Sequence, residues 1–473
     1  MGVDISEREI RAQLLARPQA SGSLNPRKVA ILPFVNQSTD PQQDYLCEGI
    51  TDGIIYTLSL IPGLNVIGRT STFTFKGQDA RIAGPKLGAG TAVDGTVQKS
   101  DNQLKIFTEL IDVASGEVRW AETYERPVND VFAVVAEIAE AVVRGVLHTK
   151  LTMRNLISDA PNMAAYLLFL NGWHSLIRGT VEGFRTAAGT FESATSLYPS
   201  YAMAYAGLAV AYVGLTLSGL YRAHEVAPKS LHAAQQALAL DPTLPPAYAC
   251  LGFVTAFYEW KWDQGAAYAR KATELAPSEP FSQILCGLCI MAKGKMDDAQ
   301  ECFEQAVALD PFSVRANRML GFALFLARDF ASAEQWLQGA LTLNPESIET
   351  RMLVARIYMC MHRFDVALGL AERYQGDPVG LSVLGACLAH LNRREEALKT
   401  LATLSPMAES GYVPLRAFAR IHLALGNMDR TIEYLARSLD EREPLAAFLK
   451  LDPEWDPLRG DPRFGELVSR LRL

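Results

Sequence analysis

The apolar positions of this chain change period along its length, and each change marks a new kind of element. From Lys28 to Phe34 they run unbroken as KVAILPF, the pattern of a strand buried on both faces. From Leu46 to Ile61 they recur at helical spacing, and Leu64–Gly68 is again a short buried run. RTSTFTFKGQ then reads as a loop, and ARIAGPKLGA as a short helix broken by Pro85. Three strands follow, TAVDGTVQKS, QLKIFTELIDV and EVRWAETYER, joined by turns at Ser100-Asp101-Asn102 and Ala114-Ser115-Gly116. An amphipathic helix from Asn129 to Leu151, capped by Asn129 or Asp130, closes this α/β stretch.

Beyond about Asn162 the pattern is helical throughout and it repeats. PFSQILCGLCIMAKGKMDDAQECFEQAVALDP is followed, 34 residues on, by FSVRANRMLGFALFLARDFASAEQWLQGALTLNP. Gly287 becomes Gly321, Ala299 becomes Ala333, and Leu309-Asp310-Pro311 becomes Leu343-Asn344-Pro345. Small residues let neighbouring helices approach, and each closing proline ends a unit. Closing prolines at Pro199, Pro242, Pro277, Pro311 and Pro345 are spaced 43, 35, 34 and 34 residues apart. The long first interval predicts a loop insertion within TLSGLYRAHEVAPK. The register continues past Pro345 to give about eight helix pairs stacked as a solenoid. EPLAAFLKLDPEWDPLRGDPRFGELVSRLRL reads as a terminal cap whose last helix, about Asp461–Leu471, covers the open end.

The Leu-Gly, Ala, Phe, Ala and Pro positions of these units resemble the tetratricopeptide repeat (TPR). The α/β stretch resembles a second family. ILPF (Ile31–Phe34), GITDGI (Gly49–Ile54), NVIGRTS (Asn65–Ser71), Phe75–Gly77, LIDVASGEVRWAETYER (Leu110–Arg126) and Asp130–Phe132 look like the TolB amino-terminal-like domain. The expected organisation is a polar leader at 1–26, the TolB-like domain at 27–152, the TPR superhelical solenoid at 162–443 and a cap at 444–473. The fold class is α+β and multidomain. Relatives of this pairing often carry an adenylate or guanylate cyclase or a winged-helix domain ahead of it. The 26-residue leader is expected to hold neither. AGPKLGAGTAVDG departs from the family, which usually has an unbroken helix there.

Composition narrows the function classes. The 473 residues carry a net charge of −7, and 49% are hydrophobic. Without a basic half, nucleic acid is not an expected partner. No apolar run reaches the roughly 18 residues of a membrane span. Seven cysteines at helical positions point to reduced thiols and a cytoplasmic setting. Cys286-x-x-Cys289 lacks a second ligand pair and reads as packing rather than a metal site. The seven histidines form no metal motif, and no nucleophile elbow or phosphate loop is present. Asp94, Glu109 and Glu122 read as the wet face of a sheet. No catalytic residue, metal or cofactor is assigned.

Two candidate surfaces remain. Arg69-Thr70-Ser71 follows a buried strand, where α/β sheets place ligand loops; the alternative pairs Arg69 with Glu48 or Asp52. The TPR resemblance implies a concave groove lined by first-helix residues. Carried onto this sequence, these are Phe281, Ile284, Leu288 and Met291, then Arg315, Arg318, Phe322 and Phe325. Glu349, Met352, Arg356 and Met359 follow, and later Arg416 and Arg420. Apolar residues flanked by arginines suit a protein or peptide partner of acidic character; the alternative pairs these arginines with Glu on a neighbouring helix. The expectation is a non-enzymatic interaction scaffold; the alternative is a sensory or regulatory module of a bacterial signalling or transcription system.

Overall fold

The computed structural model describes residues 24–38, 43–100, 102–149 and 163–472, so the expected leader lies almost wholly outside the described residues. The amino-terminal part is a six-stranded sheet. Strands β1 (Asn25–Ile31), β3 (Asn65–Val66), β4 (Ala89–Ser100), β5 (Gln103–Asp112) and β6 (Val118–Pro127) lie in the order β3-β1-β4-β5-β6, with β2 (Val35–Asn36) beside β4. β1 is parallel to β3 and β4, and β4, β5 and β6 form an antiparallel meander. The unbroken KVAI run has the burial its apolarity demands: Val29, Ala30 and Ile31 are fully enclosed. Helices α1 (Asp44–Ser59) and α4 (Val131–Leu147) cover one face of the sheet. The other face of β1 and β4 carries α3 (Ala80–Leu87).

Three local expectations change. RTSTF, expected as loop, forms the short helix α2 (Arg69–Phe73). ARIAGPKL is one helix despite Pro85, because the Asp79 carboxylate caps its start and Gly88, at φ 64°, ends it. Asp130 does hold the N-cap position of α4, but its side chain makes no capping hydrogen bond; a single turn at Val128–Asp130 leads into the helix.

The remainder is a solenoid of helices. Its described pairs are α5 (Met163–Ile177) with α6 (Val181–Leu197), α7 (Ala202–Ser218) with α8 (Ala223–Leu240), and α9 (Pro245–Phe257) with α10 (Trp262–Leu275). Next come α11 (Pro280–Ala292) with α12 (Met296–Leu309), α13 (Val314–Leu326) with α14 (Phe330–Leu343), and α15 (Ile348–Cys360) with α16 (Phe364–Ala371). Last are α17 (Pro378–His390) with α18 (Arg394–Ser410), and α19 (Leu415–Ala424) with α20 (Met428–Asp440). The repeat glycines do what their position suggests. A Cβ on Gly287 would lie 2.8 Å from the Phe303 ring, and one on Gly321 2.7 Å from Leu337. The extra residues of the long second unit are not a loop. They lengthen its helices to 17 and 18 residues, against 13 and 14 in the unit of α11 and α12. TLSGLYRAHEVAPK runs on helically on both sides of a turn at Gly219, φ 68°.

The final segment departs from a simple end cap. Two short turns, Pro444–Phe448 and Pro453–Leu458, and helix α21 (Pro462–Arg470) follow α20. Helix α21 does pack on α20, through Arg463 with Asp429 (2.7 Å) and Arg470 with Asp440. The stretch before it, however, runs back along the concave face, and its side chains belong to the solenoid's main core.

Candidate partner-binding groove

The inner face of the solenoid is built from the first helices of its units, as the repeat pattern implies. Ile284, Leu288 and Met291 on α11, Phe322 and Phe325 on α13, and Met352 on α15 are all buried, and Phe281 is partly so. Much of what covers this face is the chain's own carboxy-terminal segment. The Phe448 ring sits 5.7 Å from Phe257 and 5.5 Å from Phe322. Trp455 is 1% exposed, and the Trp262 indole donates to the Leu471 carbonyl at 2.7 Å.

The arginines of this face are engaged by the same segment. Arg356 pairs with Asp452 (2.5 Å) and through Nε with Glu454 (3.1 Å), and its guanidinium lies 5.0 Å from the centre of the Phe325 ring. Arg420 pairs with Glu454 and also donates to Ser382 Oγ. Arg416 Nε donates to Glu443 at 3.0 Å, and the same carboxylate accepts from the Tyr412 hydroxyl at 2.8 Å and from the Leu415 amide. Burial alone would raise the Glu454 carboxyl. Arg420 and Arg356 outweigh it and hold the group down to about 2. At Asp452 burial has the upper hand over Arg356, and the group is raised. Charges this deeply enclosed are tolerated because each has a partner within hydrogen-bond reach.

Arg315 and Arg318 are different. They sit three residues apart on one face of α13 and are half-buried. Among the described residues, neither has a carboxylate partner within ion-pair reach or a side-chain hydrogen bond. Arg315 lies 5.5 Å from the centre of the Phe184 ring on α6. Burial, and then the neighbouring charge of Arg318, push the Arg315 guanidinium down to about 10. Burial likewise lowers Arg318.

The segment Arg69-Thr70-Ser71 is occupied from both sides. Arg69 pairs with Asp52 (2.5 Å) and Glu48 (3.1 Å) on α1 and stacks 3.6 Å over Phe73. Ser71 donates to Asp310 Oδ1 through its amide (2.8 Å) and its hydroxyl (2.5 Å), and accepts from the Phe312 amide at 2.9 Å. The Gly68 amide donates to the Leu309 carbonyl at 2.7 Å, and Ser278 Oγ donates to the Leu64 carbonyl at 2.7 Å. Arg69 is thus spent on α1, while the Ser71 and Gly68 donors are spent on the solenoid, so this stretch is the seat on which the α/β module meets it. Tyr166 and Leu170 of α5 complete the seat by entering the core beneath the sheet.

The remaining candidates are structural in their surroundings. Cys286 and Cys289 are buried, and burial pushes the Cys289 thiol up to about 12. Asp94 lies opposite Glu109 across the sheet, while Glu122 lies opposite Thr108, so the three carboxylates do not converge. Among the described residues no three His, Cys, Asp or Glu side chains could together hold a metal ion. No helix there is long and apolar enough to cross a membrane. A cleft of about 240 Å³ lies where α8 meets α19 and α20, lined by Arg222, Tyr412, Phe418, Tyr434, Arg437 and Glu441. The residues that sequence reasoning missed are the acids of the tail, Glu443, Asp452 and Glu454. Their signal was the set of groove arginines, Arg315, Arg318, Arg356, Arg416 and Arg420, set against Glu349 alone among the groove positions.

Comparison with known proteins agrees with the repeat reading. The tetratricopeptide repeat model matches residues 291–348. A protein of Rhizobium meliloti (strain 1021) named putative adenylate cyclase 3 is 41% identical over 126 residues, which is 26% of this chain and 21% of that protein. The chain thus spans about a fifth of the length of this curated relative. Among solved structures, a thermophilic TPR protein of Thermus thermophilus is similar at 18% identity and TM-score 0.35, over 41% of this chain and all of that one. PilF of Pseudomonas aeruginosa is similar at 18% identity and TM-score 0.33, over 47% of this chain and 97% of that one. The long run of helices that follows the sheet is thus a solenoid of TPR type.

Proposed function

We propose that this chain is a non-catalytic protein-interaction module whose groove recognises an acidic, aromatic-bearing segment. The observation that carries this reading is the engagement of Arg356, Arg416 and Arg420 by Glu443, Asp452 and Glu454. The groove already holds a ligand of that chemistry, supplied in cis. A partner with a similar segment would take the place of the tail, docking aromatic side chains where Phe448 and Trp455 sit and carboxylates against the arginines. Unpaired, mostly buried thiols fit a reducing, cytoplasmic setting for such a protein.

The test uses a labelled peptide of residues 443–471 and the full chain with Asp452→Asn and Glu454→Gln together. The tail of the unaltered chain competes at high effective concentration, so the variant should bind the peptide at least tenfold more tightly. A variant that is folded by circular dichroism and still ignores the peptide removes this reading.

A second reading is a regulatory module of a signalling protein. The relative named as an adenylate cyclase favours it, and so does the TolB-like pattern of the α/β module. The Ser71–Asp310 seat would carry a change in that module to the solenoid. A thermal-shift screen of small ligands on the full chain tests it. Cyclic nucleotide formation by this chain would overturn the non-catalytic part of both readings.

A further inference from the structure

The inner face of the solenoid carries five arginines that the repeat pattern singled out, and the tail neutralises three of them. The other two, Arg315 and Arg318, are the exception to the way this protein treats enclosed charge. Elsewhere on this face a buried guanidinium is matched by a carboxylate at hydrogen-bond distance. Here two guanidiniums lie side by side on α13 with none among the described residues. The carboxylates whose fields reach them are committed elsewhere. Glu279 caps α11, accepting from the Phe281 amide at 3.1 Å and the Ser282 amide at 2.6 Å. Glu349 accepts from Ser347 Oγ at 3.3 Å. Like charges in partial burial repel and lose hydration, so the arrangement is unfavourable unless something divides its charge between them. Both residues keep part of their surface exposed, so solvent reaches them.

We propose that Arg315 and Arg318 form a binding site for a phosphate group carried by a small molecule. A guanidinium presents a planar fork that matches two oxygens of a tetrahedral oxyanion. Two guanidiniums three residues apart on one helix face match one dianion in charge, whereas a single carboxylate would leave half the charge uncompensated. The Phe184 ring, itself buried in the core, lies under the Arg315 guanidinium and helps to hold it in place. The site does not depend on the tail leaving the groove, since the tail's described acids pair with other arginines.

The test is made on the full chain by thermal shift and calorimetry at matched ionic strength. The probes are inorganic phosphate, pyrophosphate, adenosine monophosphate and, as the carboxylate comparison, succinate. Phosphate-bearing probes should raise the melting temperature by several degrees at saturation, and succinate should not. Arg315→Gln and Arg318→Gln should each weaken phosphate binding at least tenfold. Each should also leave the melting temperature of the unliganded protein unchanged or higher, because a repulsion has been removed. Arg356→Gln, which breaks a matched pair, serves as the contrast and should lower it. Adenosine monophosphate binding tenfold tighter than phosphate would assign a phosphate ester; equal binding would assign the free anion. The proposal is overturned if no phosphate probe shifts the protein, if the variants shift as much as the parent, or if succinate binds as well as phosphate. It is equally overturned if either arginine variant lowers the unliganded melting temperature as Arg356→Gln does.

Discussion

Two stretches of one concave face solve the same problem in opposite ways. Around Arg356, Arg416 and Arg420 the chain folds its own tail into the groove, and every guanidinium finds a carboxylate. Around Arg315 and Arg318, on a helix of the same repeat type, no acid arrives from the described residues. The difference teaches that a groove position does not by itself decide the fate of its side chain. What decides is whether the segment that returns along the groove carries the complementary charge, and at α13 that segment presents Phe448 to Phe322 rather than a carboxylate to an arginine.

The sharpest way to break this comparison is to remove the tail's anchor. Trp455 is almost fully enclosed. Trp455→Ala should cost about 3–5 kcal/mol in denaturant unfolding, through lost burial and the cavity left behind. If the loss is under about 1 kcal/mol, the tail lies on the groove rather than in its core.

Next in size is the charge lock itself. Glu454, held at about 2 when folded, has an ordinary value of 4.5 in the unfolded chain. A depressed acid contributes stability that is complete above its unfolded value and is lost as pH falls through the folded one. Stability should therefore decline between pH 4.5 and 2, by up to about 3 kcal/mol from this group. The raised Asp452 works in the opposite sense and trims the total. In Glu454→Gln the same pH decline should be shallower; an identical slope would show that the lock is not the source.

A smaller effect is expected at the seat of the α/β module. Asp310→Ala strips two donors of Ser71 of their acceptor and should cost about 1–3 kcal/mol. Hydrogen exchange should show the loss at residues 68–75 while the tail stays protected; loss at the tail instead would mean that the two contacts are coupled. The smallest effect belongs to Arg318→Gln, within about 0.5 kcal/mol of the parent and not destabilising. That near-silence is what separates the unmatched arginines from the matched ones.

Much of this architecture is visible in the amino-acid order because it is local. The 34-residue register shows the helix pairs, and Gly287 and Gly321 point to where helices touch, since only a residue lacking a Cβ fits there. The three strands β4, β5 and β6 are equally plain from the turns that separate them. What stays hidden is long-range. Nothing local to Ser71 names Asp310, 239 residues away, because an Asp before a closing proline reads as turn chemistry. Nothing local to Glu454 names Arg356 either. The groove arginines suggested an acidic ligand, but a pattern of one helix face carries no information on which segment will cross it. The lengthened α7 and α8 were misplaced for a related reason: Gly219 marks a turn, while helical propensity on both sides let the insertion extend the helices.

The pairing of Arg222 with Glu441, at 3.1 Å, has a mechanical consequence. A stack of repeats is ordinarily a spring with two free ends, each unit fastened only to its neighbours, so that it frays from its termini. Here the second unit is clipped to the end of the eighth, and the Trp262–Leu471 bond runs a strap across the bore. The units between these contacts are tied to distant units as well as to their neighbours. Opening one of these units from the stack then also means breaking a contact made across the bore.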